Sequence, residues 1–154
     1  RASQVLCIDS QKQTVQLVGP PLGDRVYKYL APGVTAANGL IYFAPDQASQ
    51  VLCIDSQNQT VQLVGPKLGN DCAVRLGDSC YAAPGVTAAN GLIYFAPASA
   101  TRVLCIDPQK QTVQRVGLPL LDGADKYTAH GVTAANGLIY FAPYTASRVL
   151  CIDS

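Results

Sequence analysis

The sequence predicts an all-β protein in which a four-stranded antiparallel unit repeats along the chain. Two phrases recur nearly unchanged within 154 residues and carry this prediction. The first, Val-Leu-Cys-Ile-Asp, begins at Val5, Val51, Val103 and Val149. The second, Gly-Val-Thr-Ala-Ala-Asn-Gly-Leu-Ile-Tyr-Phe-Ala-Pro, begins at Gly33, Gly85 and Gly131. Copies of the first phrase lie 46, 52 and 46 residues apart, a period typical of solenoids, propellers and arrays.

The composition agrees with a folded sheet protein and excludes several partners. Hydrophobic residues make up 49% of the chain and charged residues 14%, which favours a domain rich in buried sheet. The net charge of +1 gives no electrostatic reason to expect nucleic acid or acidic lipid as a partner. No apolar run approaches the roughly 20 residues that span a bilayer, so we expect no membrane partner. The sequence leaves the cellular compartment undetermined.

The first half of one unit reads as a hairpin. Gly33–Ala37 is short, small and compatible with a strand. Asn38-Gly39 between apolar runs is a strong hairpin signal, because a type I′ turn needs positive φ at both central residues. Leu40–Ala44 is predicted to be the second strand, and Pro45 ends it.

The second half of the unit predicts two more strands. Val51–Asp55 is apolar on both faces except at its end, and a tight polar turn, Ser56–Gln59, follows it. Thr60–Val64 alternates polar and apolar residues before Gly65 ends it. No segment shows apolar residues at helical spacing over three turns.

The difference in apolar content between the first three strands and the fourth predicts how the sheets pack. The first three strands are apolar or small on both faces, and the fourth has one polar face. A small sheet between two like sheets, with its last strand at the rim, has this pattern and is a β-propeller blade. The first strand would line the central channel. A β-sandwich is the main alternative, and the near-exact repeat favours the propeller.

The repeated segments also resemble known propeller repeats. The stretches GVTAANGLIYFAP, ASRVLCIDPQKQTVQRVG and VLCIDSQKQTVQLVGP are similar to repeats in many predicted proteins of dinoflagellates and other unicellular algae. More loosely they resemble Kelch and bacterial YVTN-type repeats, although the Gly-Gly doublet and the Trp of standard Kelch blades are absent. The resemblance covers nearly the whole chain. It implies the propeller fold and a family that includes interaction modules, without implying any one activity.

Counting strands gives the predicted domain organisation. We expect a single propeller region over 1–154, with a partial blade at 1–23, full blades at 33–69 and 85–121, and a partial blade at 131–154. Propellers close with about four to eight blades, so about three blades are expected to stay open. Two copies joined end to end would carry one third-type strand in excess, which favours a fragment of a longer repeat protein. Exposed blade faces and strand edges would promote self-association.

The six cysteines fall into two groups. Cys7, Cys53, Cys105 and Cys151 share one strand position and lie a blade apart, too far for a disulfide, so we interpret them as core residues. Cys72 and Cys80 occur only in the longest connection, where seven residues separate them. They would form a disulfide in an oxidising compartment and stay free thiols in the cytosol, and the sequence leaves both alternatives open.

Neither the aspartates nor the single histidine predict chemistry. Asp9, Asp55, Asp107 and Asp153 each end a third strand, and one carboxylate per blade does not supply the six to eight oxygens that Ca²⁺ takes. We interpret them as Asx caps of the following turn. His130 has no nucleophile or carboxylate motif beside it and is interpreted as an exposed loop residue. We therefore expect no metal, no cofactor and no catalysis in this region.

The clearest functional expectation comes from the places where the copies differ. The connections from a fourth strand to the next first strand span 23–32, 69–84 and 122–130, and they vary in length and content. In a propeller they emerge on the same face as the second-to-third connections, which also vary. Variable loops on a rigid scaffold are where binding usually resides. The candidate binding residues are Arg25, Tyr27, Lys28, Tyr29, Arg75, Tyr81, Lys126 and Tyr127.

These residues predict a binding scaffold for a protein partner or small ligand of unknown identity. Tyrosine beside Arg or Lys suits a recognition surface. The alternative for the same residues is solvated loop side chains with Tyr packed against the rim. At the level of the protein, the alternatives are a propeller enzyme whose catalytic residues lie outside this segment and a purely structural repeat array.

Overall fold

The computed structural model describes residues 3–68 and 78–154 and confirms the all-β fold class. These residues form 13 strands and no helix. The strands are β1 Val5–Asp9, β2 Thr14–Val18, β3 Val34–Thr35, β4 Leu40–Phe43, β5 Val51–Asp55, β6 Thr60–Val64, β7 Val86–Thr87, β8 Ile93–Phe95, β9 Val103–Asp107, β10 Thr112–Val116, β11 Val132–Thr133, β12 Ile139–Phe141 and β13 Leu150–Ile152. In the described part of the chain, no helix is long and apolar enough to cross a membrane.

The strands form four separate antiparallel sheets in chain order. The sheets β3-β4-β5-β6 and β7-β8-β9-β10 each have four strands, and we call them the first and second full blades. The two strands β1-β2 form the N-terminal hairpin, and β11-β12-β13 form the C-terminal sheet. Within each sheet every strand pairs with its neighbour in sequence. This is the order of consecutive blades in an unclosed propeller segment.

The same register recurs in each sheet. Tyr42 pairs with Cys53 in the first full blade, and the equivalent Tyr94 pairs with Cys105 in the second. The first strands are shorter than predicted, since β3 holds only Val34–Thr35. Gly33 instead lies where the Phe43 ring crosses the chain, and a Cβ there would be 2.5 Å from Phe43 Cζ. Gly85 and Gly131 lie in the same way against Phe95 and Phe141.

The first hairpin turn forms at Asn-Gly as predicted, but the predicted turn type was wrong. Gly39 has φ of +81°, whereas Asn38 is not among the residues with positive φ, so a type I′ turn is excluded. The Gly39 N–H donates to Ala36 O, and the Leu40 N–H donates to Asn38 Oδ1. This is the three-residue loop in which a turn is followed by a left-handed glycine. The Asn side chain thus replaces a second residue with positive φ.

Asp9, Asp55 and Asp107, at the ends of their third strands, cap the next turn as the sequence predicts, and within the described part of the chain no such bond is seen at Asp153. Asp55 Oδ1 accepts hydrogen bonds of 3.0 Å from the N–H groups of Gln57 and Asn58. These bonds hold the pKa of Asp55 below its usual value. Asp107 accepts the equivalent bonds from Gln109 and Lys110. The carboxylates therefore fix backbone geometry and do not converge on a shared site.

Consecutive blades pack face to face. A Cβ on Gly19, after β2, would lie 2.5 Å from Val61 Cβ of β6, and Gly65 lies in the same way against Val113 of β10. We call the face that carries Val61 the leading face of a blade, because it meets the preceding sheet, and the opposite face the trailing face. Each glycine at the end of a fourth strand therefore makes room for a valine of the next leading face.

The repeated cysteine belongs to the core only where both neighbouring sheets are present. Cys53 and Cys105 are buried in the full blades, and burial raises the pKa of both thiols. Cys7 is half-buried, and Cys151 is exposed. The prediction of core residues is therefore confirmed for the full blades and is wrong for Cys151, whose trailing face has no neighbour.

Candidate functional site: the upper face

The variable connections meet at one end of the sheets. In an antiparallel sheet of order 1-2-3-4, the second-to-third connection and the link to the next first strand leave from the same end. We call this end the upper face, and the end with the Asn-Gly and Asp-capped turns the lower face. The upper face is the one that the sequence predicts to carry function.

A ladder of hydrogen bonds joins the upper face across three sheets. Asp46 N–H donates to Lys28 O at 2.8 Å, and Cys80 N–H donates to Asp46 Oδ1 at 3.0 Å. Ala98 N–H then donates to Cys80 O, and Lys126 N–H donates to Ala98 O. A last bond of 2.8 Å runs from Tyr144 N–H to Lys126 O. These six residues, the upper ladder, fix the connections of neighbouring sheets relative to one another.

The ladder contains two buried charged residues: Asp46, which was not among the predicted site residues, and Lys126, which was. Asp46 and Lys126 are 2% and 1% exposed. Burial raises the pKa of Asp46 and lowers the pKa of Lys126, an effect that the Asp122 and Asp125 carboxylates oppose. Lys126 Nζ donates to Gly123 O at 2.7 Å. Lys126 was predicted to be a binding residue, but a buried ammonium held by its own loop is inaccessible to a partner.

Three tyrosines of the predicted binding set hold connections of the upper face together through hydrogen bonds. Tyr29, Tyr81 and Tyr127 donate their hydroxyl protons to Gln50 O, Arg102 O and Arg148 O, in each case 21 residues further on. Tyr81 and Tyr127 are almost fully buried, and burial raises the pKa of all three hydroxyls, to about 12 for Tyr29. Their predicted role as exposed recognition residues is wrong for Tyr81 and Tyr127 because neither is accessible.

The sequence does contain a signal for this hydrogen-bonding role of the tyrosines. Each of the three tyrosines stands four residues before the glycine that opens a repeated phrase, at Gly33, Gly85 and Gly131. The tyrosines therefore belong to the copied unit rather than to the variable part of the loops.

The remaining predicted residues of the first connection lie together at the upper face. Arg25 is exposed, and its guanidinium donates a long bond of 3.4 Å to Gln47 O. Tyr27 is 72% exposed and has φ of +50°, and Lys28 is half-buried. These three side chains and Tyr29 line a cavity of about 680 Å³ between the N-terminal hairpin and the first full blade. Arg75 lies outside the described residues.

An exposed aromatic side chain that was not in the predicted set also lies on this face. Tyr144 ends the upper ladder, and its side chain is 71% exposed. Its signal in the sequence is a substitution within the second-to-third connection, where Asp46 and Ala98 occupy the equivalent positions. The upper face thus presents an exposed tyrosine at each end of the series of sheets, Tyr27 beside the N-terminal hairpin and Tyr144 at the C-terminal sheet.

Cys80 and His130 lie within the described residues, whereas Cys72 does not. Cys80 is buried and disulfide-bonded, while its predicted partner Cys72 lies outside the described residues, so the pairing stays a prediction. His130 is exposed beside the C-terminal sheet. Within residues 3–68 and 78–154, no group of three or more His, Cys, Asp or Glu side chains is arranged to hold a metal ion.

Comparisons with known proteins support the fold alone. No protein family matches the sequence and no curated protein is similar to it, so the expected likeness to Kelch, YVTN and algal repeats stays a prediction. Solved structures do match. Virginiamycin B lyase from Staphylococcus aureus, crystallised with quinupristin, gives a TM-score of 0.61 at 15% identity over 92% of this chain and 42% of the lyase.

A second solved structure is similar over nearly the whole chain. Hydrazine synthase of Kuenenia stuttgartiensis gives a TM-score of 0.62 at 16% identity over 98% of this chain and 40% of the synthase chain. Both proteins are β-propellers, and at this identity they establish the class of this chain as a propeller segment. The chain spans less than half of the length of either one.

Proposed function

We propose that this chain is a non-catalytic propeller scaffold that binds a protein partner through exposed side chains of its upper face. The observation that carries the proposal is the upper ladder, which holds variable connections in fixed positions across three sheets. A rigid scaffold with variable surface residues is the usual design of a binding site. A fixed backbone also lowers the entropy that association costs.

The recognition residues in this proposal are Arg25, Tyr27 and Lys28 at one end of the upper face and Tyr144 at the other. Arginine and tyrosine dominate binding energy at protein interfaces because each offers a large contact area together with hydrogen-bonding groups. Lys126, Tyr81 and Tyr127 contribute indirectly, by holding the connections in place. The enzyme alternative has support only from the name of the lyase, and at 15% identity that likeness concerns the fold.

Selection from a library of random displayed peptides tests this proposal. Peptides selected on the wild-type chain should bind the Arg25→Ala/Tyr27→Ala variant at least about tenfold more weakly, because alanine at an interface hot spot typically costs more than 1 kcal/mol. The variant should fold normally, since both side chains are exposed.

The matched control is Lys12→Ala/Lys110→Ala, which changes two highly exposed side chains of the lower face. Selected peptides should bind this control as they bind the wild type. Equal binding to all three proteins would place the recognition surface elsewhere and overturn the proposal.

A further inference from the structure

One of the copied turns on the lower face carries a residue that its counterparts lack. The turns that follow β1, β5 and β9 have the same glutamines at their second and fourth positions, but their third positions are Lys12, Asn58 and Lys110. Asn58 forms the triplet Asn-Gln-Thr with Gln59 and Thr60, and the 154-residue sequence contains no other Asn-x-Ser/Thr triplet. A triplet of this form is the acceptor sequence for N-linked glycans.

The structure places the whole triplet at the surface. The turn between β5 and β6 and the first residue of β6 together make up residues 56–60, and all of them are exposed. The strands on either side are different, because they contain the buried residues Cys53 and Val61. A glycan is bulky and solvated, so its acceptor has to lie at the surface of the folded protein. Asn58 meets this requirement.

The hydrogen bonds of Asn58 go to the aspartate that caps its own turn. The Asn58 N–H donates to Asp55 Oδ1 at 3.0 Å, and Asn58 Nδ2 donates to Asp55 Oδ2 at 2.7 Å. The neighbouring sheet is contacted by the next residue instead, since Gln16 Nε2 donates to Gln59 Oε1 at 3.0 Å. A substituent on the amide of Asn58 therefore leaves this bond between the sheets in place.

The amide of Asn58 has one N–H more than its bond to Asp55 requires. An asparagine side chain carries two N–H donors, and attachment of a sugar uses one of them. The other remains for Asp55 Oδ2. In the second full blade the same position holds a charged group, since Lys110 Nζ lies 3.4 Å from Asp107 Oδ2. Asparagine thus keeps the contact with the capping carboxylate and adds an acceptor nitrogen.

A second observation, from another part of the chain, concerns the compartment. Cys80 is buried and disulfide-bonded. Disulfides persist in the lumen of the endoplasmic reticulum and outside the cell, and they are rare in the cytosol. Proteins on this route are also the ones in which Asn-x-Ser/Thr triplets receive glycans. The disulfide therefore indicates a compartment in which the triplet can be used.

We infer that Asn58 is a site of N-linked glycosylation in a chain that enters the secretory pathway. The donor is an oligosaccharide linked through a diphosphate to a lipid. Asn58 Nδ2 forms a bond to the anomeric carbon of the first sugar, and the bond from that carbon to the diphosphate oxygen breaks. The oxygen keeps the electron pair of the broken bond, the amide gives up one proton, and the lipid diphosphate leaves.

The position of Asn58 separates the glycan from the upper face. The turn lies beyond one end of β5, and the connection of Asp46 lies beyond the other. A strand of five residues is roughly 15 Å long, so a glycan on the lower face leaves the upper face open to a partner. Thr60 also begins β6, the edge strand of the first full blade. A glycan beside this edge hinders pairing with a strand of another chain.

Secretion of the chain from a eukaryotic cell line, behind a cleavable signal, tests the site. Treatment with a peptide N-glycosidase should lower the mass of the wild type by one glycan. Thr60→Val should show no change on treatment, because it removes the hydroxyl that the acceptor triplet requires. Valine keeps the β-branched shape, and the exposed position 60 keeps its backbone pairing with Asp55, so this variant should fold normally.

The two outcomes that would contradict the site are distinct. A wild-type mass that the glycosidase leaves unchanged would overturn the inference. A loss of mass that persists in Thr60→Val would place the glycan on another residue and would overturn the assignment to Asn58.

The copied turn of the second full blade provides a matched gain of function. Lys110→Asn creates the triplet Asn-Gln-Thr at positions 110–112, which are exposed like 58–60. The two turns also share their backbone, since φ is +53° at Gln59 and +52° at Gln111. We therefore expect Lys110→Asn to carry two glycans. A single glycan on this variant would show that an exposed triplet in this turn is not sufficient and would contradict the structural argument.

The protein in its own cells tests the compartment. An antibody raised against the chain should detect a band that moves to lower mass when the cell extract is treated with the glycosidase. A band that does not move would overturn the inference for the native protein. Peptide binding at the upper face is measured separately, so the two proposals fail independently.

Discussion

The three tyrosines of the upper connections show how one side chain fastens a blade. Each hydroxyl reaches a backbone carbonyl just before the third strand, at distances between 2.8 and 3.2 Å. The ring of Tyr81 or Tyr127 fills a buried space while its hydroxyl donates a hydrogen bond to that carbonyl. The position of a tyrosine within the repeat therefore decides its role. Tyr81 joins two connections through the hydrogen bond of its hydroxyl, whereas the side chain of Tyr27 is exposed at the surface.

We expect Tyr81→Phe to lower the free energy of unfolding by about 1 kcal/mol, because the carbonyl of Arg102 loses its hydrogen bond while the packing of the ring is kept. Tyr27→Phe, at a position 72% exposed, should change the free energy of unfolding by less than about 0.5 kcal/mol. Urea unfolding of both variants measures this difference. Equal stabilities would show that the Tyr81 hydroxyl does not fasten the connection.

At the scale of elements, the connections are ordered by bonds between successive repeats rather than within them. The link from Asp46 to Cys80 uses a side-chain oxygen, whereas the equivalent link from Ala98 to Lys126 uses a backbone carbonyl. A carboxylate therefore replaces a carbonyl in one step of the upper ladder. This step adds a charge to a buried position.

The buried carboxylate gives the stability of the chain a particular pH dependence. Burial raises the folded-state pKa of Asp46 above 3.8, so the folded chain holds this proton more tightly than the unfolded chain does. Its contribution to stability is therefore present at low pH and is lost as pH rises through the folded-state pKa. Asp55 and Asp107, whose pKa values are lowered, contribute in the opposite direction.

Asp46→Asn keeps an oxygen that can accept the Cys80 N–H and carries no charge. We expect the variant to gain stability relative to wild type as pH rises from below 3.8 to neutrality. Because Asp55 and Asp107 are present in both proteins, the difference between the two unfolding free energies isolates Asp46. Asp24→Asn, at an exposed position, is the control, and a difference for Asp46→Asn that stays constant with pH would contradict the argument.

Strand positions could be predicted because each strand carries its own signal. Thr60–Val64 and Val51–Asp55 have the predicted bounds, since alternation or apolar content ends sharply at Gly and at the Asp cap. The left-handed φ of Gln59, +53°, could not be predicted, because glutamine has no local preference for that region. The upper ladder was missed because its bonds join residues from different repeats, such as Asp46 and Cys80.

On the scale of the whole molecule, neighbouring sheets determine the burial of equivalent strands. The strands β1, β5 and β9 have the same sequence over five residues. Only β5 and β9, which belong to the full blades, have a neighbouring sheet on both faces. In repeat proteins of this kind, stability is approximately a sum of unit terms and contacts between neighbouring units. The ends should therefore open before the middle.

Hydrogen exchange on the chain should show this order. Amides of β5 and β9 should exchange slowest and those of β1 and β2 fastest, because the N-terminal hairpin lacks a neighbour on its leading face. Uniform protection across the four sheets would indicate that the chain unfolds as a single cooperative unit.

The identity of Val5–Asp9 with Val149–Asp153 has a consequence for folding. A second strand such as β12 meets chemically indistinguishable candidates for its partner, so side-chain recognition cannot discriminate between them and the energy landscape is degenerate at this step. Discrimination passes to the connections, because a short loop closes at a lower entropic cost than a long one and brings the nearest candidate first. The lengths of the loops thus favour the correct order of the blades, and pairing between strands of neighbouring nascent chains competes with that order.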